Sequence, residues 1–174
     1  MDSHTPDTSP TGNYHGMPLA CLLGYGDKGL TTIAHAPPAL KPEHVAIVGA
    51  RSYEPEEAEL LRRLGVRVYF MGEVEKWGLA AVMEEASRIA FNGTAGAGIT
   101  IDLDGLDPEE VAAVGTPEPG GIAVSDLCAA VSRFAENPRA VGCEIVEFNP
   151  TLSGAVKTAD IIERLIVSFQ GRRP

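Results

Sequence analysis

The amino-acid sequence predicts an α/β fold in three layers, αβα, built on a parallel sheet covered by helices on both faces. Three observations carry this. Short apolar runs such as Val45-Ala-Ile-Val-Gly49 lack the polar alternation of a half-exposed strand and resemble strands buried on both faces. Longer segments with helix start and stop signals fall between these runs, so strand and helix alternate along the chain. At 174 residues and 44% hydrophobic, the chain can bury one good core, which makes residues 1–174 a single domain.

The elements follow in order. Residues 1–16, rich in Pro, Thr, Ser, Gly and Asp, read as a long loop. The run His15 to Leu23 reads as a short buried helix, with Pro18 tolerated in its first turn. Residues 25–43 are irregular, and Pro37, Pro38 and Pro42 mark a connection. After the first strand, Glu54-Pro55-Glu56-Glu57 opens a helix through Leu64, with Pro early and acids in the first turn. Gly65 stops it. Val66 to Met71 is the second strand, Glu73 to about Phe91 the second long helix, and residues 98–102 the third strand. A helix over Ser125 to Glu136, a strand over Ala140 to Phe148 and a helix over about Val156 to Phe169 complete the chain. Ligands in open parallel sheets sit beyond the carboxyl ends of the strands. The residues to read are therefore Arg51 to Glu54, Gly72, Asp102 to Asp104, and Glu144 to Asn149.

Composition narrows the function. A net charge of −10 argues against nucleic acid or an anionic membrane as main partner and suits cations or cationic substrates. Cys21, Cys128 and Cys143 are scattered and form no CxxC pair, as expected of reduced thiols in the cytosol. No apolar run approaches the ~20 residues that span a bilayer. The polar start Met1-Asp-Ser-His4 has none of the basic and apolar regions of a signal peptide, so a cytoplasmic location is expected.

The most informative stretch is Ile99-Thr-Ile-Asp102-Leu-Asp104-Gly-Leu-Asp-Pro108. Positions i and i+2 of a strand share a face, so Asp102 and Asp104 project together. Like charges that close persist only with a proton or a cation between them; the simpler reading is a strand end with solvated acids. Glu147, in Glu144-Ile-Val-Glu147-Phe-Asn-Pro150, reaches the same rim or belongs to an Asn-Pro turn. Gly115-Thr-Pro-Glu-Pro-Gly-Gly121 is a rigid loop downstream of the acids, or simply a connection. The loop ahead of the first helix concentrates Asp2, His4, Asp7, Thr11, Asn13 and His15. It is either a solvated terminus or a site in which His15, anchored by the helix behind it, shuttles protons beside a metal.

Together, Ser9-Pro-Thr-Gly-Asn-Tyr-His15-Gly, Asp102-Leu-Asp104-Gly-Leu-Asp-Pro, Gly115-Thr-Pro with Gly120-Gly121, and Glu144-Ile-Val-Glu147-Phe-Asn-Pro resemble the arginase (ureohydrolase) family in order and approximate spacing. The resemblance implies an arginase/deacetylase-like fold and hydrolysis of L-arginine to L-ornithine and urea at a binuclear manganese centre, with two Mn2+ per complete site. It implies that Asp102 bridges both ions and that Asp104 binds one. Glu147 would pair with the guanidinium, Thr116 would lie near it, and His15 would carry a proton to the leaving amine. Thr11 and Asn13 would hold the substrate carboxylate, and Glu54 the α-amino group.

The sequence departs from the family pattern in three places. Glu54 stands where aspartate is frequent, and His4 where asparagine donates an amide hydrogen to the substrate carboxylate. Asp2 matches the last ligand of an Asp-x-His-x-Asp metal motif whose earlier ligands are absent, together with the first strands of the sheet. The expectation is the carboxy-terminal part of a ureohydrolase, either truncated or read from a late start, that alone holds manganese poorly. Agmatine or a guanidino acid is the alternative substrate, and a non-catalytic remnant the alternative role. The full-length form is expected to be a homo-oligomer acting on a small guanidino molecule.

Overall fold

The computed structural model describes residues 1–171. Its strands are β1 (Ala46–Ala50), β2 (Arg67–Phe70), β3 (Ala97–Asp102) and β4 (Ala140–Val146). The helices are α1 (Pro18–Leu22), α2 (Lys28–Thr31), α3 (Pro55–Leu64), α4 (Met71–Trp77), α5 (Leu79–Phe91), α6 (Val124–Ala135) and α7 (Ala155–Gln170). The α/β alternation and the parallel pairing agree with the prediction. The single sheet does not appear among the described residues. β1 pairs with β2, and β3 with β4, as two separate parallel ladders.

Two further expectations are corrected. The helix expected over 73–91 is broken at Gly78, whose φ of 81° lies where a side chain would be strained, so α4 ends and α5 begins there. The irregular stretch 25–43 contains α2, because the Asp27 carboxylate accepts the N–H groups of Gly29 (2.7 Å) and Leu30 (3.3 Å) and thereby caps a turn.

Period-2 alternation along β1 sends Ala46 and Val48 to one core and Val45 and Ile47 to another. The larger core is walled by α5, α6 and α7 through Val82, Phe91, Val131, Phe134, Ile161 and Leu165. There the rings of Phe91 and Phe134 stack at 5.3 Å. The smaller core packs Leu61 and Leu64 of α3 with Leu23, Val66 and Val68 on the opposite face. β1 and β2 therefore lie between helical layers. β3 and β4 are covered on one face only. Ile99, Ile101, Cys143 and Ile145 turn to the larger core, whereas Thr100 and Glu144 are exposed and bonded to each other at 3.1 Å. The expectation of strands buried on both faces fails here. Leu61 and Leu165 are fully enclosed, and cutting either to alanine would cost about 2–5 kcal/mol. No helix among the described residues is long and apolar enough to cross a membrane.

The turn after β3 is held by the loop that follows it. Asp107 N–H donates to Ile122 O and Ile122 N–H to Gly105 O, each at 3.0 Å. A Cβ on Gly121 would stand 2.2 Å from the Leu106 backbone, so this approach needs glycine.

Candidate active site

β3 carries only the first of the two acids: the expectation of a shared strand face is corrected, because the strand ends at Asp102 and Asp104 lies in the turn that follows. Asp102 ends the strand, and its Oδ1 accepts the Asp104 N–H at 3.1 Å, closing a short 3-10 turn over Leu103–Gly105. Burial, reinforced by the charge of Asp104, pushes the Asp102 carboxyl up to about 7. Asp104 Oδ2 in turn accepts the hydroxyl of Thr116 at 2.5 Å.

Asp2 joins the same group. Its carboxyl is raised chiefly by burial, with Asp104, Glu57 and Glu147 adding to the effect, and Asp2 acts on Asp102 likewise. Glu147 lies just beyond β4. Asp2 (φ 53°) and Glu147 (φ 67°) are the non-glycine residues with positive φ among those described. Such backbone is costly for a side-chain-bearing residue and concentrates at working sites.

The rim owes its shape to Arg51, named from sequence only as part of a strand end. Its Nη2 donates to Asp104 O (2.6 Å), Leu106 O (3.3 Å) and Glu118 O (2.9 Å). Nη1 donates to Gly105 O and Nε to Pro119 O, both at 3.2 Å. One guanidinium, with its planar fork of donors, thus ties the end of β1 to the acid-bearing turn after β3 and to the Gly115–Gly121 loop. Carbonyl acceptors leave no mark in a sequence, so this role was not readable there.

The loop over residues 2–16 is anchored at its base. Ser3 N–H donates to Glu57 Oε1 and His4 N–H to Gly16 O, both at 3.0 Å, while Leu19 N–H donates to Asp2 O at 2.9 Å. Glu57 is a buried acid that sequence reading missed as a site element. Burial pushes its carboxyl up, but the N–H groups of Ser3 and Glu54 hold it below its ordinary value. Its signal was present, because Glu57 stands three residues after the helix cap Glu54 and bonds back to the Glu54 N–H, half of a capping box.

The other expected residues divide. His4 is buried, and its Nε2 lies 2.9 Å from Glu54 Oε2 and 3.6 Å from Glu57 Oε2. Thr11, Asn13 and Thr116 are exposed, and Asn13 N–H donates to Thr11 Oγ1 at 3.2 Å. His15 is exposed as well, in a 3-10 turn (Tyr14–Gly16) ahead of α1. The expectation of a ring anchored by the helix is corrected: the helix segment buries Met17, Ala20, Cys21 and Leu23, while the His15 ring is left exposed.

Among the described residues, the three metal-capable side chains whose ligand atoms lie within 4.8 Å of one another are His4, Glu54 and Glu57. Both Glu57 oxygens already serve backbone N–H groups. Asp2, Asp102 and Asp104 do not converge that closely among the described residues, but their donor set, three carboxylates, is of the oxygen type that a hard divalent cation takes.

Comparison with known proteins shows the family. The arginase family model matches residues 1–171. The arginase of Brevibacillus brevis is 42% identical over 170 residues, covering 98% of this chain and 57% of that protein. The arginase of Bacillus caldovelox is 41% identical over 172 residues, covering 99% of this chain and 58% of its own length. Its native structure at pH 5.6 superposes with a TM-score of 0.94 at 40% identity, again over 99% and 58%. This chain thus spans 57–58% of the length of these relatives. Formimidoylglutamase of Bacillus subtilis, 23% identical with a TM-score of 0.83 over 98% of this chain and 50% of its own, shares the fold.

Proposed function

The chain belongs to the arginase family, and on that premise we propose that it hydrolyses the guanidinium of L-arginine, or of an arginine-like compound, to urea and the amine. For L-arginine the amine is L-ornithine. The observation that carries this reading is geometric: Asp102 at the end of β3 accepts the Asp104 N–H, Asp104 is held by Thr116 of the following loop, and Asp2 and Glu147 are the described non-glycine residues with positive φ. An acidic, partly buried rim attracts both a divalent cation and a guanidinium.

Asp2, Asp102 and Asp104 would hold manganese. Manganese, when bound, supplies the Lewis acidity that makes water a nucleophile near neutral pH. The chain's own residues do the rest. Glu147 pairs with the guanidinium and fixes its carbon over the acids, with Thr116 beside it. Thr11 and Asn13 hold the carboxylate end, and Glu54, to which His4 is bonded at 2.9 Å, faces the α-amino group. His15, exposed on its loop, gives a proton to the amine as the C–N bond breaks, a step worth typically 10²–10⁴-fold in rate.

Urea release in manganese-containing buffer from L-arginine, agmatine and 4-guanidinobutyrate tests this reading. Urea formed by the unaltered chain and not by Glu147→Gln supports it. A chain loaded with two manganese ions that forms urea from none of the three overturns it.

A further inference from the structure

Glu54 is the exposed carboxylate, at the start of α3, to which the reading above assigns a substrate α-ammonium, and it is already engaged. An ionised carboxylate only accepts, so His4 Nε2, 2.9 Å from Glu54 Oε2, carries the hydrogen between them. The His4 ring is not free to swing aside. It is 7% exposed, its Nδ1 lies 3.3 Å from Thr8 Oγ1, and its backbone N–H is bonded to Gly16 O at 3.0 Å. An α-ammonium reaching Glu54 finds Oε2 already taken by this donor. It must settle for the remaining acceptor sites or displace the His4 hydrogen, and displacement would leave a buried N–H without an acceptor, which is costly.

The carboxylate end meets no such competitor. Thr11 and Asn13 are exposed, and Thr11 Oγ1 accepts the Asn13 N–H, which leaves the hydroxyl hydrogen and the amide hydrogens to donate. Resting on the arginase-type reading, we propose that His4 is a specificity-determining residue that turns the site toward linear guanidino carboxylic acids without an α-amino group. The carboxylate of such a ligand keeps its partners, and nothing in it contests the His4–Glu54 bond.

The discriminating pair is L-arginine and 5-guanidinopentanoate, which differ only in the α-amino group. Calorimetric titration of the manganese-equilibrated chain gives both affinities. The unaltered chain is expected to bind 5-guanidinopentanoate more tightly, and His4→Asn to move the ratio toward L-arginine by about ten-fold, the size of one charged hydrogen bond. Adding Glu54→Gln to His4→Asn should erase that gain. His4→Gln repeats the test should the asparagine variant fold poorly. An affinity ratio that is the same with histidine and with either amide at position 4 overturns the inference and leaves the arginase-type reading standing. Binding of neither ligand by any form overturns that reading, and this inference with it.

Discussion

Thr116 Oγ1 donates to Asp104 Oδ2 at 2.5 Å, so the loop expected to face the substrate holds an acid expected to face the metal. Removing the hydroxyl with Thr116→Val frees the Asp104 carboxylate to turn. Residues that orient a ligand without touching the metal typically account for 10–100-fold in affinity. Manganese titration should therefore show binding weaker by on the order of ten-fold, with little change in thermal stability because Thr116 is exposed. Thr116→Ser should restore most of it.

Asp102 makes a prediction about pH. Its carboxyl is raised from 3.8 to about 7 in the folded chain, so between those values the folded state binds a proton that the unfolded state does not. Stability contributed by this group is therefore greatest at the acid end of the window and falls as pH rises through about 7. Glu57 works oppositely. Its lowered carboxyl contributes stability above about 4.5 that is lost as pH falls. Urea denaturation of metal-free protein at several pH values, with Asp102→Asn alongside, isolates the first effect. The unaltered chain should lose stability relative to the variant from pH 4 to pH 8, and equal slopes would remove the basis for it.

Glu147→Gln keeps the size of the side chain and removes its charge. A hydrogen bond to a charged group is worth about 1.5–3 kcal/mol, so kcat/KM for a guanidino substrate should fall on the order of 10–100-fold. Manganese content, measured by elemental analysis, should stay unchanged. Unaltered turnover would mean that Glu147 belongs only to the turn after β4.

Arg51→Met leaves five carbonyl acceptors of the rim without their shared donor. A loss on the order of 2–3 kcal/mol is expected, which in a domain of this size lowers the melting temperature by roughly 5–10 °C. Arg51→Lys should recover only part, because a single ammonium cannot reach acceptors on both segments. Circular dichroism melts give the stability, and manganese titration shows whether the Asp102–Asp104 turn loosens with it.

What sequence made legible was local. Pro55 with Glu57 marks the start of α3, the Val and Ile runs mark the strands, and the acids after Ile101 mark where β3 gives way to a turn, although that turn, and not an i, i+2 strand face, holds Asp104. What it hid depends on distant backbone. The Arg51 acceptors are carbonyls 53 to 68 residues away, and any residue supplies a carbonyl. The burial of Glu57 requires the 2–16 loop to fold over it. His15 looked anchored because an apolar helix follows it, yet its ring is exposed while Met17, Ala20, Cys21 and Leu23 are buried. The break at Gly78 was overlooked because an apolar period continues across it.

Left-handed backbone at Asp2 and Glu147 bears on how this protein would change under artificial selection. Each position costs an L-residue about 1–2 kcal/mol relative to its usual conformations, and glycine would relieve it. A mutant library sorted for heat resistance alone would therefore enrich glycine at 2 and 147, discarding a carboxylate with each gain. The same library sorted for urea production would keep both acids and find its stabilising changes in the helices. Comparing the two selected populations at these codons would separate residues retained for folding from residues retained for chemistry, without any structure in hand.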